Sequence, residues 1–334
     1  MKSKTKFSIK YDIIVKIFEY AKLGKVLRAA PMSAGEFNAV YFIETDMKKY
    51  VLKIAPKSDT AILSFEKNML PQEVAFYALI KKHTSMRVPK IYFLDFSKKL
   101  IDADYFIMEF VEGKMLQKAC LNRTDKARVN ELLMQFLAQL HSIKGNGFGY
   151  VQTGLCDTWH NALKNMIENL ILDAKVFDKK LSDVYRLLDY VDKYKSVLEN
   201  VPPCLVNFDL WNVNILYINN TFENDFSLTL IDPERCFFGD PLGDFVARKA
   251  LKPLDEKYDL FNAYYKNFSK NQCSISYGLT NDEKIRYYIM HGYLSLIMQT
   301  EKTYRYKKSQ LKYHLTTLAA RFFMRYALKG LQKV

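Results

Sequence analysis

The sequence lacks any run of apolar residues that approaches the roughly 18 needed for a membrane-spanning helix. Its first apolar stretch, Ile13 to Ala21, is interrupted by Lys16 and Glu19, which predicts an amphipathic helix instead of a signal peptide. Internal repeats and low-complexity segments are missing as well. We therefore expect a globular protein of the cytoplasm with no membrane span.

Cysteine is scarce, and its pattern excludes two common uses of the residue. The five cysteines form an odd number, and no two of them have the CxxC spacing of a zinc site. A disulfide framework is not expected either, and reduced thiols fit a cytoplasmic protein. With 334 residues, 49% of them apolar, the chain is long enough to bury a large core and to form two lobes.

Motifs of nucleic-acid binders are also missing, although the formal net charge is +14. The excess is mostly lysine and is spread along the chain, without arginine-rich clusters or base-stacking motifs. We therefore expect no nucleic-acid partner. The positive field would also disfavour a strongly cationic substrate such as an aminoglycoside, unless a local acidic pocket overcame it.

Three polar residues interrupt an apolar region in the second half of the chain: Asp209, Asn214 and Asp232. Each lies next to a short apolar run that predicts a β-strand. The three runs are Cys204 to Val206, Ile215 to Ile218 and Leu228 to Ile231. The segment Asn219 to Phe226 is rich in Asn, Asp and Glu, and predicts a turn that joins the second and third runs as a hairpin.

A register that pairs Ile218 with Leu228 in this hairpin also pairs Asn214 with Asp232. Directly opposed residues are only about 5 Å apart, so an amide oxygen and a carboxylate would meet at one end of the hairpin. Oxygen ligands of this kind suit Mg²⁺. Asp209, in the preceding loop, would be free to orient a hydroxyl and accept its proton. A phosphoryl-transfer site uses metal ligands and a base of this kind.

A lysine in the middle of an apolar strand is the second unusual feature. Lys53 lies within the predicted strand Lys49 to Ala55, where burial would require a carboxylate partner; an edge strand with Lys53 in solvent is the alternative. The next predicted helix starts after Pro71 and has Glu73 in its first turn. Glu73 is our choice for the partner, and Glu66, in another helical stretch, is the competitor.

These residues form a recognisable combination: Asp209-x-x-x-x-Asn214, then Ile231-Asp232, then Gly239-Asp240-Pro241-Leu242-x-Asp244. The combination resembles the catalytic signature of the aminoglycoside phosphotransferase and choline kinase group, which are small-molecule kinases with a protein-kinase-like fold. Asn207 departs from the pattern, because the family usually has His two residues before the catalytic Asp. The usual His braces the loop, and an amide makes comparable hydrogen bonds, so we expect activity to persist.

The resemblance implies an α+β, bilobal, protein-kinase-like fold. A small antiparallel-sheet N-lobe, residues 1–111, would bind the nucleotide, and a larger, mostly helical C-lobe, residues 112–334, would carry the catalytic loop 205–214. The long helical stretch between His141 and Asp209 favours small-molecule kinases over protein kinases, which have a short connection there. His141 itself is expected to have a structural role, because a His near a helix C-terminus commonly packs or caps.

The resemblance also implies the cofactors, ATP or GTP with Mg²⁺, and a role for each site residue. Asp209 would be the catalytic base, and Asn214 and Asp232 would hold the metal, with Glu234 as a further contact. The expected nucleotide contacts are Ser33, Gly35 and Asn38 in the first turn, Lys53 and Glu73 at the phosphates, and Met108, Glu109 and Val111 at the hinge between lobes. Asp240 and Asp244 are expected to brace the loop.

The function predicted from this resemblance is transfer of the γ-phosphoryl group of a nucleoside triphosphate to a hydroxyl of a small molecule. The acceptor stays open among aminoglycosides, other antibiotics, choline-like amino alcohols, sugars and amino acids. A nucleotide-binding regulator with little catalysis is the alternative, and a protein kinase is a third. The apolar side of the last helix, Ser309 to Leu331, is expected to pack on the C-lobe, with contact to a membrane surface as the alternative.

Overall fold

A computed structural model of the chain describes residues 3–32, 35–220, 225–267 and 279–334. The helices in this part are α1 Tyr11–Ala21, α2 Met69–His83, α3 Arg123–Ser142, α4 Trp159–Lys175, α5 Val184–Lys193, α6 Lys195–Glu199, α7 Leu242–Ala247, α8 Tyr258–Tyr265, α9 Asn281–Arg305 and α10 Leu311–Leu331. The strands are β1 Val26–Pro31, β2 Ala39–Thr45, β3 Lys49–Ile54, β4 Ile91–Asp95, β5 Tyr105–Glu109, β6 Lys114–Met115, β7 Cys204–Val206, β8 Ile215–Asn220, β9 Asp225–Leu230 and β10 Phe237–Gly239. None of the described helices combines the length and the apolar character that crossing a bilayer demands.

The N-terminal half of the fold is a five-stranded antiparallel sheet in the order β1-β2-β3-β5-β4. The central strand β3 is buried along almost its whole length, because both faces of the sheet are covered. On one face Leu52 joins a cluster with Ile17 of α1, and on the other Val51 joins a cluster with Tyr77 of α2. This double cover places the side chain of Lys53 in the interior.

The C-terminal part of the fold is a helical body with two small sheets. One sheet has the strand order β6-β8-β9, and the other consists of β7 and β10. Helix α9 runs through its core and is buried along most of its length. Phe76 and Ile80 of α2 belong to the same large apolar cluster, so the two halves share a core. The predicted order of an antiparallel sheet followed by a helical lobe is confirmed. We propose the lobe boundary at residues 111 and 112, where the chain passes from β5 to β6.

The β8-β9 hairpin exists, but the predicted register is wrong by one residue. Ile218 pairs with Ser227 instead of Leu228, and Asn214 lies outside the strand, where its carbonyl accepts the Ile231 N–H at 2.9 Å. The strands extend through Asn220 and from Asp225, further into the polar segment than predicted. A shift of one residue turns every side chain to the opposite face, so Asn214 does not face Asp232 across the hairpin.

Two helix predictions also need correction. Helix α2 begins at Met69, two residues before Pro71, so Glu73 is not in its first turn. Proline is tolerated there because the first N–H groups of a helix have no partner within the helix. The stretch around Glu66 forms only a short 3-10 turn, Ser64–Glu66.

Helix α10 packs on the helical lobe, as predicted, but the apolar side that was expected to make the contact is exposed. Leu311 is 71% exposed, and Leu315, Leu318 and Phe322 are more than half exposed. The helix contacts α9 through a different face, which includes Phe323 at 3% exposure. Apolar residues lie on both sides of α10, and the buried ones lie between Ala320 and Leu331, towards its C-terminal end.

Candidate active site

The buried Lys53 lies at the centre of three carboxylates, of which Glu73 and Glu234 are buried and Asp232 is partly exposed. Its Nζ contacts Glu73 Oε2 at 2.7 Å and Glu234 Oε2 at 3.0 Å, and it forms a further ion pair with Asp232. The predicted pair of Lys53 and Glu73 is therefore present. Glu66, the competitor, is paired with Arg305 instead. The elements that bring these residues together are β3, α2 and the loop after β9.

Burial and the neighbouring charges together shift the pKa values of Lys53 and its three carboxylates. Burial alone would lower the pKa of Lys53, but the three carboxylates outweigh it and raise that pKa well above its usual value. Burial raises the pKa of Glu73 to about 7 and that of Glu234 well above its ordinary value. For Asp232, burial would raise the pKa, but Lys53 outweighs this and the pKa is lowered. The single ammonium group of Lys53 thus faces three carboxylates and cannot neutralise all of them.

Asp232 itself is held in an unusual backbone conformation. Its φ is +63°, in the left-handed region that few residues other than glycine adopt. The hydroxyl of Tyr77 accepts the Asp232 N–H at 2.8 Å, which supports this conformation. Sequence reasoning missed Tyr77, although it lies four residues after Glu73 and therefore on the same face of α2. Backbone strain of this kind concentrates at functional sites.

Asp209 and Asn214 form the second part of the site. The Asn214 Nδ2 donates to Asp209 Oδ2 at 2.7 Å and to the Asp209 carbonyl at 3.0 Å. Arg235 approaches the same carboxylate, with Nε 3.7 Å from Asp209 Oδ1, and also pairs with Glu301 of α9 at 2.7 Å. Sequence reasoning missed Arg235 and Glu301, because their contact joins residues far apart in the chain.

The environment of Asp209 makes it a better base than an exposed carboxylate. Burial raises its pKa to about 6, against the attraction of Arg235, which lowers it. The Asp232 and Glu301 carboxylates raise it further. A base with a pKa near the operating pH is effective because it is mostly ionised and still accepts a proton.

The loop that carries Asp209 is braced from below by Asp244, as predicted. Asp244 Oδ1 accepts the Phe208 N–H at 2.7 Å, and Oδ2 accepts the Asn207 N–H at 3.0 Å. His141 is buried and bonds to Asp244 at 2.9 Å, which agrees with a structural role. The Asn207 side chain accepts the Asp209 N–H at 3.0 Å, so the amide supports the loop at the position where the family usually has His.

Asp240, the other predicted brace, accepts the Leu242 N–H at 3.0 Å and pairs with Arg286 at 3.2 Å. Its second carboxylate oxygen is buried without a hydrogen-bond partner in the described part of the chain. The contact with Leu242 fixes the start of α7, which carries Asp244. Asp240 therefore supports the loop indirectly.

A cavity of about 220 Å³ adjoins the carboxylate cluster. Lys53, Glu73 and Asp232 line one end, and Gly35 lines it from the first turn. The residues predicted for the hinge, Met108, Glu109 and Val111, also line this cavity. The Glu109 N–H is occupied, because it donates to the Lys90 carbonyl at 2.8 Å. Ser33, the remaining predicted residue of the first turn, lies outside the described residues.

Asn38 is placed differently from the other nucleotide-contact candidates. It is 3% exposed, and its Nδ2 donates to Glu234 Oε2 at 2.8 Å. It is absent from the described residues that line the cavity. The contact positions Glu234, so Asn38 would act on the site through that carboxylate.

The carboxylate cluster fits a divalent cation. One oxygen from each of Glu73, Asp232 and Glu234 lies within 4.8 Å of the others. All of these ligand atoms are oxygens, which Mg²⁺ prefers. The three carboxylates, when ionised, carry more negative charge than Lys53 can neutralise. The Asn214 amide makes both of its bonds to Asp209 through Nδ2, which leaves its oxygen as a ligand atom.

Comparisons with known protein sequences show similarity to phosphotransferases. A sequence model described as the phosphotransferase enzyme family matches residues 28–248 of the 334. A probable ketoamine kinase of Enterococcus faecium is 24% identical to this chain over 294 residues, which cover 78% of this chain and 94% of that protein.

Solved structures match over nearly the whole chain. A candidate fructosamine-3-kinase of Haemophilus somnus has a TM-score of 0.65 and 16% identity, over 93% of this chain and 96% of that one. A ternary complex of the aminoglycoside phosphotransferase APH(2'')-IIa with streptomycin and ATP has a TM-score of 0.59 and 15% identity, over 98% and 99%. Identities this low show likeness of fold, and the fold is the bilobal, protein-kinase-like one that the sequence predicts.

Proposed function

The chain belongs to the phosphotransferase enzyme family, a family of kinases that act on small molecules, and from this premise we propose the reaction and the residues that carry it out. The proposed reaction moves the γ-phosphoryl group of ATP or GTP to a hydroxyl of a small molecule. The bond between the γ-phosphorus and the bridging oxygen breaks, a bond to the acceptor oxygen forms, and the hydroxyl proton passes to Asp209. A location in the cytoplasm, where nucleotides are available, is part of the proposal.

One observation carries the proposal: the buried Lys53, paired with three carboxylates, lines a cavity, and the partly buried carboxylate of Asp209, with a raised pKa, lies in a loop nearby. Lys53 would bind the phosphates, and Glu73 would hold it in place. The hinge residues Met108, Glu109 and Val111, together with Gly35, would contact the nucleotide. A protein with a similar fold forms a complex with streptomycin and ATP, which supports the proposal that this chain uses a nucleotide.

Asp209 would orient the acceptor hydroxyl and accept its proton. Asn214 fixes the Asp209 side chain through its hydrogen bond, and Arg235 keeps part of the carboxylate population ionised. Positioning and electrostatic stabilisation supply most of the acceleration in phosphoryl transfer, because its transition state is loose. The bracing contacts of Asp244 serve this positioning.

Asp232, Glu234 and the Asn214 oxygen would hold Mg²⁺, which neutralises phosphate charge in enzymes of this kind. Lys53 is already shared among the carboxylates, so its ammonium can turn towards a phosphate without leaving the cluster. Burial and the neighbouring Asp232 carboxylate raise the pKa of Glu234, so a second cation beside it would favour its ionised form. The cluster is thus suited to a nucleotide that arrives with its own cation.

Two substitutions test the roles. Asp209→Ala should abolish turnover while nucleotide still binds, because it removes only the base. Asp232→Ala should abolish the Mg²⁺ dependence of nucleotide binding, measured by titration calorimetry with and without Mg²⁺. Turnover near the wild-type rate in Asp209→Ala would refute the base assignment, and unchanged Mg²⁺ dependence in Asp232→Ala would refute the ligand assignment.

A further inference from the structure

A second cavity, of about 850 Å³, lies beside the catalytic loop and has lining residues different from those of the nucleotide cleft. Its wall includes residues 210–213, which connect Asp209 to Asn214. The Trp211 N–H donates to the Asp209 carbonyl at 2.8 Å, so the wall begins one hydrogen bond from the backbone of the proposed base. A small molecule in this cavity would lie next to the loop that carries Asp209.

The charged residues that line this cavity are all cationic. They are Lys126, Arg248, Lys249 and Lys252, and no Asp or Glu is among the described lining residues. Lys249 and Lys252 already have carboxylate partners, at 3.0 and 2.5 Å. Lys126 is exposed and has no ion-pair partner within the described ranges. The cavity therefore attracts negative charge.

Arg248 is the feature that points to a ligand. It is only 6% exposed, yet no carboxylate of the described chain pairs with it. Its two Nη groups donate to the side-chain oxygens of Asn212 and, at 3.2 Å, Asn130, and its buried Nε has no partner among the described residues. Burial lowers its pKa to about 10, which reflects the cost of an uncompensated buried charge. An anion would remove that cost.

The rest of the cavity is mostly apolar. Leu116, Leu121 and Val129 line it on one side, and Leu251, which is 74% exposed, lines it on another. Apolar walls with a few placed polar groups are typical of small-molecule sites. A suitable ligand therefore has an apolar part as well as an anionic group.

We propose that this cavity binds the acceptor and that Arg248 receives a carboxylate or phosphate group of that acceptor. The proposal rests on the proposed function and names its substrate class: a hydroxyl compound with an apolar part and an anionic group. The planar guanidinium suits either anion, since both accept paired hydrogen bonds. Polycationic aminoglycosides are disfavoured, because every charged residue among the described lining residues is cationic.

Trp211 provides a binding assay that needs neither nucleotide nor catalysis. The chain has two tryptophans, and the other, Trp159, is fully buried outside the cavity. The probe is 4-(hydroxymethyl)benzoate, and its neutral control is 4-(hydroxymethyl)benzamide, which has nearly the same shape but no negative charge. We expect saturable quenching of Trp211 by the benzoate, at least about tenfold weaker binding of the amide, and loss of the signal in Trp211→Phe.

Variants test the role of Arg248. Arg248→Gln should weaken binding of the benzoate about tenfold or more, Arg248→Lys should lie between it and the wild type, and Lys329→Ala should have no effect. Lys329 is an exposed residue of α10, so this control removes one positive charge away from the cavity. Equal binding of benzoate and amide, or unchanged affinity in Arg248→Gln, would overturn the proposal. If Arg248→Gln does not fold, Lys126→Glu takes its place, and unchanged affinity there is the contrary result.

Failure of this inference and failure of the proposed function give different results. If the benzoate binds as expected but neither it nor any other anionic hydroxyl compound is phosphorylated, the proposed reaction fails and the anion site stands. If neutral or cationic hydroxyl compounds are phosphorylated and anionic ones show no advantage in KM, the reaction stands and the inference fails. KM is the informative constant, because Arg248 would bind a part of the acceptor remote from the reacting hydroxyl.

Discussion

Replacement of Arg235 should move the acid limb of the pH profile to higher pH. The Asp209 pKa is about 6, and catalysis requires the ionised form, so kcat/KM should fall as the pH decreases through 6. Arg235 lies 3.7 Å from Asp209 and stabilises its charge. In Arg235→Gln that attraction is lost, so the pKa of Asp209 rises and the same fall occurs at higher pH.

The size of the shift follows from the geometry. Two unit charges at about 4 Å interact by about 4 kcal/mol at an effective dielectric constant of 20. Arg235 also pairs with Glu301 at 2.7 Å, so Asp209 receives only part of its charge, and we expect a shift near the low end of the range for an Asp beside an Arg, about one pKa unit. At pH 6.5 the ionised fraction would fall about threefold, from roughly 0.76 to 0.24.

The assay is the pH dependence of kcat/KM between pH 5 and 8, which reports the free enzyme. Titration of the nucleotide is common to both proteins and cancels in the comparison. Arg186→Gln is the matched control, because it removes an exposed arginine that pairs with Asp183 on the surface. Identical acid limbs in the wild type and Arg235→Gln would refute the electrostatic account of Asp209, as would an equal shift in Arg186→Gln.

Two further predictions concern stability. Lys53→Met leaves the buried carboxylates of Glu73 and Glu234, and the partly exposed one of Asp232, without their cation. It should lower the free energy of unfolding at pH 7 by about 3–5 kcal/mol, measured by urea denaturation; a loss below about 1 kcal/mol would contradict the role of Lys53 as their counter-ion. Phe323→Ala should cost about 3–5 kcal/mol, because Phe323 is 3% exposed, whereas Phe322→Ala should change stability by about 0.5 kcal/mol or less, because Phe322 is 53% exposed. Equal losses in the two variants, or a larger loss in Phe322→Ala, would contradict this packing of α10.

The pair of Lys53 and Glu73 could be predicted from the sequence because physical chemistry restricts the choices. A strand lysine with apolar neighbours needs a carboxylate when it is buried, and few carboxylates follow in the next helix. The prediction succeeded although the start of α2 was wrong, since the partner depends on the helix face and not on the position of the first turn. The bracing by Asp244 was predictable for a similar reason, because the motif fixes its distance from the catalytic loop.

The hairpin register could not be predicted from the apolar pattern. Strand β8 has apolar residues at consecutive positions, Ile215 to Ile218, so alternation in this strand does not select one register. Asn219 pairs with Phe226 and Asn220 pairs with Asp225, so the ladder continues into a segment whose composition indicates a turn. The backbone pairing therefore extends beyond the apolar runs from which the strands were predicted. Asn214 contacts Asp209 instead of facing Asp232.

No pattern in the sequence around Arg235 or Arg248 predicts the contacts of these residues. Arg235 reaches Glu301 from a different part of the chain, and Arg248 reaches Asn130 and Asn212 from two other elements. Tertiary packing alone determines such pairs. The same is true of α10, where both faces carry apolar residues at helical spacing and only the position of α9 decides which one is covered.

The most direct test of the central claim follows the γ-phosphorus atom. Purified protein is incubated with ATP, Mg²⁺ and a panel of hydroxyl compounds that includes 4-(hydroxymethyl)benzoate, and the products are identified by ³¹P NMR. The account predicts a new phosphate monoester of a panel compound, which appears with the wild-type protein and not with Asp209→Ala. Formation of inorganic phosphate alone, or of the same monoester by both proteins, would contradict it.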